Sequence, residues 1–302
     1  MSAKSQLQSA YGASTLKRER RTKERMTALD EQIMAVLRED HPQSVRHVFY
    51  RMTDPRLLEP VEKSDRGYRH VQGRCVTLRR AGLIPYNWIA DMSRQGYFTN
   101  TYSDAGDFIR QMGGLYRADL WRDADSRCEV WAESRSIASV MLADCKELAV
   151  DLYPCGGFTS LSFVHAAAQF HNARPDKRPL VIVYVGDYDP AGVLIDVALQ
   201  RELREHLRSD IELDFRRVGI NEKQVELYDL PTKPRKDGDK RSQHVTYSVE
   251  AEAMPARDLR DILRIEVESL LPENALDVAK VAERSERQHL ANMAALFERG
   301  QR

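Results

Sequence analysis

The chain has 302 residues, room for two modest domains, and its 42% hydrophobic and 30% charged residues describe a folded globular protein rather than a disordered one. Lys+Arg and Asp+Glu each number 46, so no global field favours nucleic acid or a membrane surface, and any site for a charged ligand must arise from local sorting of charge. No apolar run approaches the ~20 residues of a membrane span, and no signal-peptide pattern opens the chain. Cys75, Cys128, Cys145 and Cys155 stand apart without a CxxC pair, against zinc or a disulfide framework and in favour of a reducing cytoplasm.

Residues 1–25 are polar and end in LKRERRTKER, which suits a solvated helix start or a flexible arm, or a contact along a phosphate backbone. Met26, Leu29, Ile33, Val36 and Leu37 predict the first firm helix. A second follows in SVRHVFYRM, with Ser44 as N-cap after Pro42 and an apolar stripe of Val45, Val48, Phe49 and Met52. At ~100° per residue, Tyr50 falls roughly 150° from that stripe, as an i, i+4 neighbour of Arg46. It reads either as an ordinary exposed tyrosine or as a residue held toward a partner. A third helix is predicted over Arg66–Ala81, with Tyr68, Val71, Cys75 and Leu78 inward and Gly82 as its stop. GLIPYNWIAD then reads as extended. Three short helices and an extension form the pattern of a winged helix-turn-helix. Arg66, Arg69 and Arg80 share the outer face of the third helix, a basic surface that suits DNA phosphates and that solvation accounts for equally.

Residues 96–124 read as a linker with one helix marked by Phe108, Ile109, Met112, Leu115 and Tyr116. From residue 125 the texture alternates: CEVWAE a strand, SRSIASVMLADCKELA a helix, VDLYPCGG a strand and turn, LSFVHAAAQFH a helix. LVIVYV, a helix from Val193 to about Leu207 and IELDFRRVGI follow. This implies an α/β domain with a mainly parallel sheet over 125–302, after an α-rich domain over 26–95. Glu133 ends the first strand, and Asp187 and Asp189 follow the buried third strand with the i, i+2 spacing that points both carboxylates one way. Ligands of open α/β sheets gather at the carboxyl edge, and converging carboxylates there suit a hard divalent cation, Mg²⁺ with Mn²⁺ as substitute. DYDPAG is also a competent turn, in which Asp189 caps the next helix with Pro190 at its first position.

The order of Glu133, Gly156-Gly157, Asp187 and Asp189 resembles a Toprim metal-binding domain. SVRHVFY resembles the R-x-x-[YF]-Y signature of the topoisomerase VI A-subunit family, which includes the proteins that cut DNA to initiate meiotic recombination. FRRVGI and SVEAEAMP resemble later segments of that family's Toprim region, so the likeness covers roughly residues 26 to 270. It implies that Tyr50 is the catalytic tyrosine, with Arg46 one turn before it. It further implies that Glu133, Asp187 and Asp189 hold Mg²⁺, with Glu133 also serving catalysis, and that Gly157-Phe158 forms a turn approaching DNA. Arg66, Arg69 and Arg80 would be further DNA contacts. The implied activity is cleavage of double-stranded DNA through a 5′-phosphotyrosyl link, by a nucleoid-associated homodimer in which Tyr50 of one subunit meets the metal site of the other. A separate ATPase subunit is the family's usual partner. The family's acidic residue is usually followed by lysine, whereas Ser134 and Arg135 follow Glu133 here. The chain is also compact and lacks a recognisable ATPase module, so ATP-driven relaxation of supercoiled DNA is not expected of it alone. Two other readings stay open: a hydrolytic Toprim nuclease of a defence or mobile-element system, and a DNA-binding module without catalysis. PTKPRKDGDKR, with Lys233, Arg235 and Lys236, reads as a surface loop with a second set of DNA contacts.

Overall fold

The computed structural model describes residues 21–91, 99–156, 161–235, 242 and 245–300. Three helices lead the chain. Helix α1 (Lys23–Glu39) is capped by Thr22 and buries Leu29, Ile33 and Leu37. Helix α2 (Val45–Met52) starts at Ser44, whose hydroxyl accepts from His47 N, and α3 (Asp65–Arg80) buries Val71, Cys75 and Leu78 before Gly82 turns the chain at φ +71°. The predicted extension is a short 3-10 turn at Tyr86–Trp88 and a single parallel bridge between Gln43 and Ile89. The described residues here form three helices and one bridge, without a wing hairpin; residues 92–98 lie outside the described set.

Helix α4 (Ala105–Gly113) packs on the last helix, α10 (Ala275–Gly300), where a Cβ on Gly113 would stand 3.3 Å from Leu290 Cβ. The sheet follows as read: β1 (Arg127–Ala132), β2 (Asp151–Pro154), β3 (Leu180–Val185) and β4 (Leu213–Gly219), all parallel, in the order β2-β1-β3-β4. Helix α5 (Arg135–Glu147) joins β1 to β2, α6 (Leu161–Asn172) joins β2 to β3, and α7 (Gly192–His206) joins β3 to β4. Alternation along the strands divides the core. Val130, Ala132, Val181, Val183 and Val185 face α5 and α9 (Ala256–Glu268), in a buried cluster continuous with Leu29, Val48 and Phe49 of the N-terminal helices. Trp131, Ile182 and Tyr184 face α6 and α7 on the other side. All six residues of β3 are buried, as a central strand covered on both faces requires.

Chain direction from β1 to β2 is opposite to that from β3 to β4, so the strand order reverses between β1 and β3. In open parallel sheets, that is where a crevice forms at the carboxyl ends. A helix α8 (Glu222–Leu227) and a small antiparallel pair, β5 (Lys233–Pro234) with β6 (Tyr247–Ser248), complete the description. Among the described residues no helix is long and apolar enough to cross a membrane, and the four cysteines are not joined to one another by disulfides.

Candidate functional site

Register places Glu133 and Asp187 together. Ala132 pairs with Val185, and Glu133 N then donates to Val185 O at 2.8 Å. Its carboxylate Oε2 accepts from Asp187 N at 2.8 Å and from the Tyr184 hydroxyl at 3.5 Å. Gly186 makes this possible, because a Cβ there would lie 2.6 Å from Glu133 Oε2 and 2.7 Å from the Tyr184 hydroxyl. Gly192 is constrained similarly by the Asp187 carbonyl. Arg217 of β4 braces the turn, pairing with Asp196 at 2.6 Å and donating to the Asp187 and Gly192 carbonyls at 3.2 and 3.0 Å.

The third carboxylate has a local role. Asp189 Oδ1 accepts from Ala191 N and Gly192 N and so closes the turn that leads into α7, whose own N-cap, Ala191, has no side-chain cap bond. Its charge is still felt by Glu133. Among the described residues no three His, Cys, Asp or Glu side chains close into a group that holds a metal ion. The predicted set of Glu133, Asp187 and Asp189 is therefore not assembled as three ligands in this conformation.

Two acidic residues that the sequence reading did not single out, Glu250 and Glu252, lie beside the edge. Tyr188 and Val249 exchange backbone hydrogen bonds of 2.9 and 2.8 Å, an antiparallel bridge that lays residues 249–252 along the DYDPAG turn. Ala251 N then donates to Asp187 Oδ1 at 2.8 Å. Glu252, 5% exposed, lies close enough that its charge is felt by Asp187, Glu133 and Tyr50. Burial, then the Glu133 and Glu252 charges, push Asp187 up to about 8. Burial and the Asp189 and Glu252 charges raise Glu133, and burial raises Glu252. The donor chemistry thus suits a hard cation, whose charge would relieve this mutual repulsion. The only sequence signal for Glu250 and Glu252 is their i, i+2 spacing in SVEAEAMP.

Residue Ser134, where the family pattern has lysine, is the N-cap of α5: its hydroxyl accepts from Ile137 N at 3.1 Å and lies 3.5 Å from Glu252 Oε1. Arg135 is exposed and makes no ion pair with a described residue.

Helix α2 corrects the reading of Tyr50. It does not stand clear of the core: it is 6% exposed, with its ring 5.4 Å from that of Phe49 and the Lys63 ammonium 5.5 Å from its centroid. The short helix is wrapped on its second side by the 3-10 turn Ala251–Ala253 and the segment near Pro231, which a helical wheel cannot anticipate. Arg46 lies over the Tyr68 ring at 5.4 Å and pairs with Glu250 at 2.6 Å; Lys233 holds the other Glu250 oxygen at 2.6 Å. Burial, the Glu250 charge and a hydrogen bond to Glu250 raise the Tyr50 phenol well above the usual tyrosine range, outweighing Arg46. Burial opposes ionisation of Glu250, yet hydrogen bonds from Lys233 and Arg46 hold its carboxyl below the usual value.

Arg66, Arg69 and Arg80 are exposed on α3 and make no ion pair with a described residue. A groove beside that helix is lined by Arg46, Tyr68, Gln72, Arg79, Arg135 and Ser136. At the end of the basic arm, Arg21 and Arg25 are tied to Glu59 at 3.4 and 2.6 Å. Gly157, Phe158 and Lys236 lie outside the described residues.

No family model, curated protein or solved structure matches the chain.

Proposed function

We propose that the chain is a Mg²⁺-dependent DNA-cleaving enzyme in which Tyr50 is the nucleophile and Arg46 binds the scissile phosphate, as in the A-subunit family it resembles. One observation carries this reading: residues 249–252 touch both halves of the site, with Glu250 on Arg46 and Ala251 on Asp187. Within one chain, a tyrosine–arginine pair and a crevice of repelling carboxylates are thereby joined by four residues, so this reading has Tyr50 work beside its own chain's acidic edge, where the family resemblance implies the other subunit's. Glu133 and Asp187, with Glu252 beside them, would hold Mg²⁺ at the carboxyl edge, and the ion would supply charge stabilisation for the transferring phosphoryl group.

The step balances simply. The Tyr50 Oη–P bond forms as the P–O3′ bond breaks, the phenol proton is lost, and the 3′ oxygen leaves as a hydroxyl after gaining one. Arg46 donates to the non-bridging oxygens and favours the phenolate when its Glu250 partner is displaced. In a C2 homodimer two such sites would cut both strands. Arg66, Arg69 and Arg80 are further phosphate contacts on this reading.

The test is to incubate the protein with Mg²⁺ and end-labelled duplex, then denature. Protein-linked DNA is expected, lost with EDTA and reduced at least ~10³-fold in Tyr50→Phe. Adducts undiminished by that substitution would remove Tyr50 from the chemistry. The burial and raised pKa of Tyr50 favour a second reading, hydrolysis by water at the same acidic edge. That reading expects free 5′-phosphate ends and full activity in Tyr50→Phe.

A further inference from the structure

We propose that Glu250 fills the seat of a DNA phosphodiester, a site built by Arg46, Lys233 and the Tyr50 hydroxyl that the chain's own carboxylate occupies when no nucleic acid is bound. The inference rests on the reading of Tyr50 and Arg46 as the phosphate-handling pair, and it adds Lys233 and Lys63 to that site and assigns Glu250 as its internal competitor.

The geometry is that of an anion site. The two Glu250 oxygens are divided between two cations: Oε2 takes Arg46 Nη1 at 2.6 Å, and Oε1 takes Lys233 Nζ at 2.6 Å. The Tyr50 phenol lies close enough to feel the charge of the same carboxylate. Lys63 stands behind the Tyr50 ring and is anchored to the Pro231 and Thr232 carbonyls at 2.9 and 3.3 Å, immediately before Lys233 in the chain. A phosphodiester also presents two non-bridging oxygens sharing one negative charge. It can accept the same two cationic donors beside the Tyr50 phenol, so the exchange is neutral in charge.

Access and strength favour exchange. The Arg46 and Lys233 side chains are 43% and 46% exposed, and Glu250 is 23% exposed. Ion pairs this open to solvent are weak, so a polyanion can displace the carboxylate. Arg46 also lines the groove that contains Arg79, Arg135 and Gln72, which gives a backbone a basic track ending at this seat. Tyr50, by contrast, is nearly enclosed, and its oxygen becomes available to phosphorus only after Glu250 swings out. The carboxylate thus keeps an idle tyrosine protonated and engaged, and DNA itself is the displacing agent.

The experiment is binding of a fluorescein-labelled duplex in EDTA, followed by anisotropy across a KCl series, for wild type, E250Q, K233A and the double variant. We expect E250Q to bind about 10-fold more tightly, with a salt slope about one unit steeper, because one more cation is free for phosphate. K233A, on an exposed side chain that folding does not require, should bind several-fold more weakly and should cancel most of the E250Q gain. Unchanged or weaker binding by folded E250Q, checked by circular dichroism, overturns the proposal. So does K233A binding like wild type, a result that stands even where E250Q does not fold. A parallel incubation with Mg²⁺ separates the two ideas. Tighter binding by E250Q without protein-linked DNA in any variant defeats the transesterification reading alone, whereas adducts with no gain in affinity defeat the Glu250 assignment alone.

Discussion

The tyrosine pocket and the carboxyl edge of the sheet are neighbours with opposite electrostatic characters. Around Tyr50, opposite charges alternate in contact: Arg46 and Lys233 meet Glu250, and Lys63 meets carbonyls and an aromatic face. At the edge, burial and neighbouring carboxylates raise the proton affinity of Glu133 and Asp187, and burial raises that of Glu252, with Arg217 opposing the shift at Glu133 and Arg46 opposing it at Glu252. The first arrangement is satisfied without a ligand and must be opened to act. The second is strained by repulsion and would gain from one. On the proposed function, the second is where a cation would be held.

Three perturbations sharpen that contrast. The largest concerns His47 on α2, which is 1% exposed and held to about 3 chiefly by burial, with Asp40 raising it and Arg260 lowering it. The folded state keeps this ring neutral while the unfolded chain protonates near pH 6.5, so stability is full above that pH and falls as pH drops toward 3. Between pH 7.5 and 5 the loss from this group should be about 2 kcal/mol. Urea melts of wild type and His47→Gln should converge as pH falls; parallel curves would show that His47 is not the group that titrates.

At the carboxyl edge the expected sign is reversed, because removing a charge should help. Asp187→Asn keeps an oxygen for the Ala251 N–H and removes a carboxyl whose ionisation the fold opposes, so it should stabilise the metal-free protein by about 1–2 kcal/mol. Millimolar Mg²⁺ should raise the melting temperature of wild type through binding to the folded state and leave the variant unmoved. An equal response in both would exclude Asp187 as a ligand.

The smallest effect lies at the seam between the regions. Ser134→Ala removes the N-cap of α5 and should cost about 1 kcal/mol in denaturant melts, without altering duplex binding. A loss of affinity beyond that stability change would give Ser134 a place in the site.

Local pattern determined much of this protein. Periodicity located α1, α2 and α3 with their buried stripes, and alternation and apolar runs located β1 through β4, because 3.6- and 2-residue repeats are set by backbone geometry and the need to bury one face. Glu133 and Asp187 were legible as edge residues for the same reason: each follows a strand whose end is marked by the loss of apolar side chains. Three matters were settled only by tertiary structure. Tyr50 is buried because segments near residues 231 and 251, distant in sequence, close over a face that helical geometry alone leaves open. Asp189 closes the turn into α7 because its choice between that turn and a shared ligand depends on where the neighbouring carboxylates sit. Glu250 and Glu252 enter the site because a two-residue bridge at Tyr188 and Val249 joins segments about sixty positions apart. A lone bridge of that kind leaves no periodic trace in sequence, since its pairing depends on how the whole sheet and its covering helices pack.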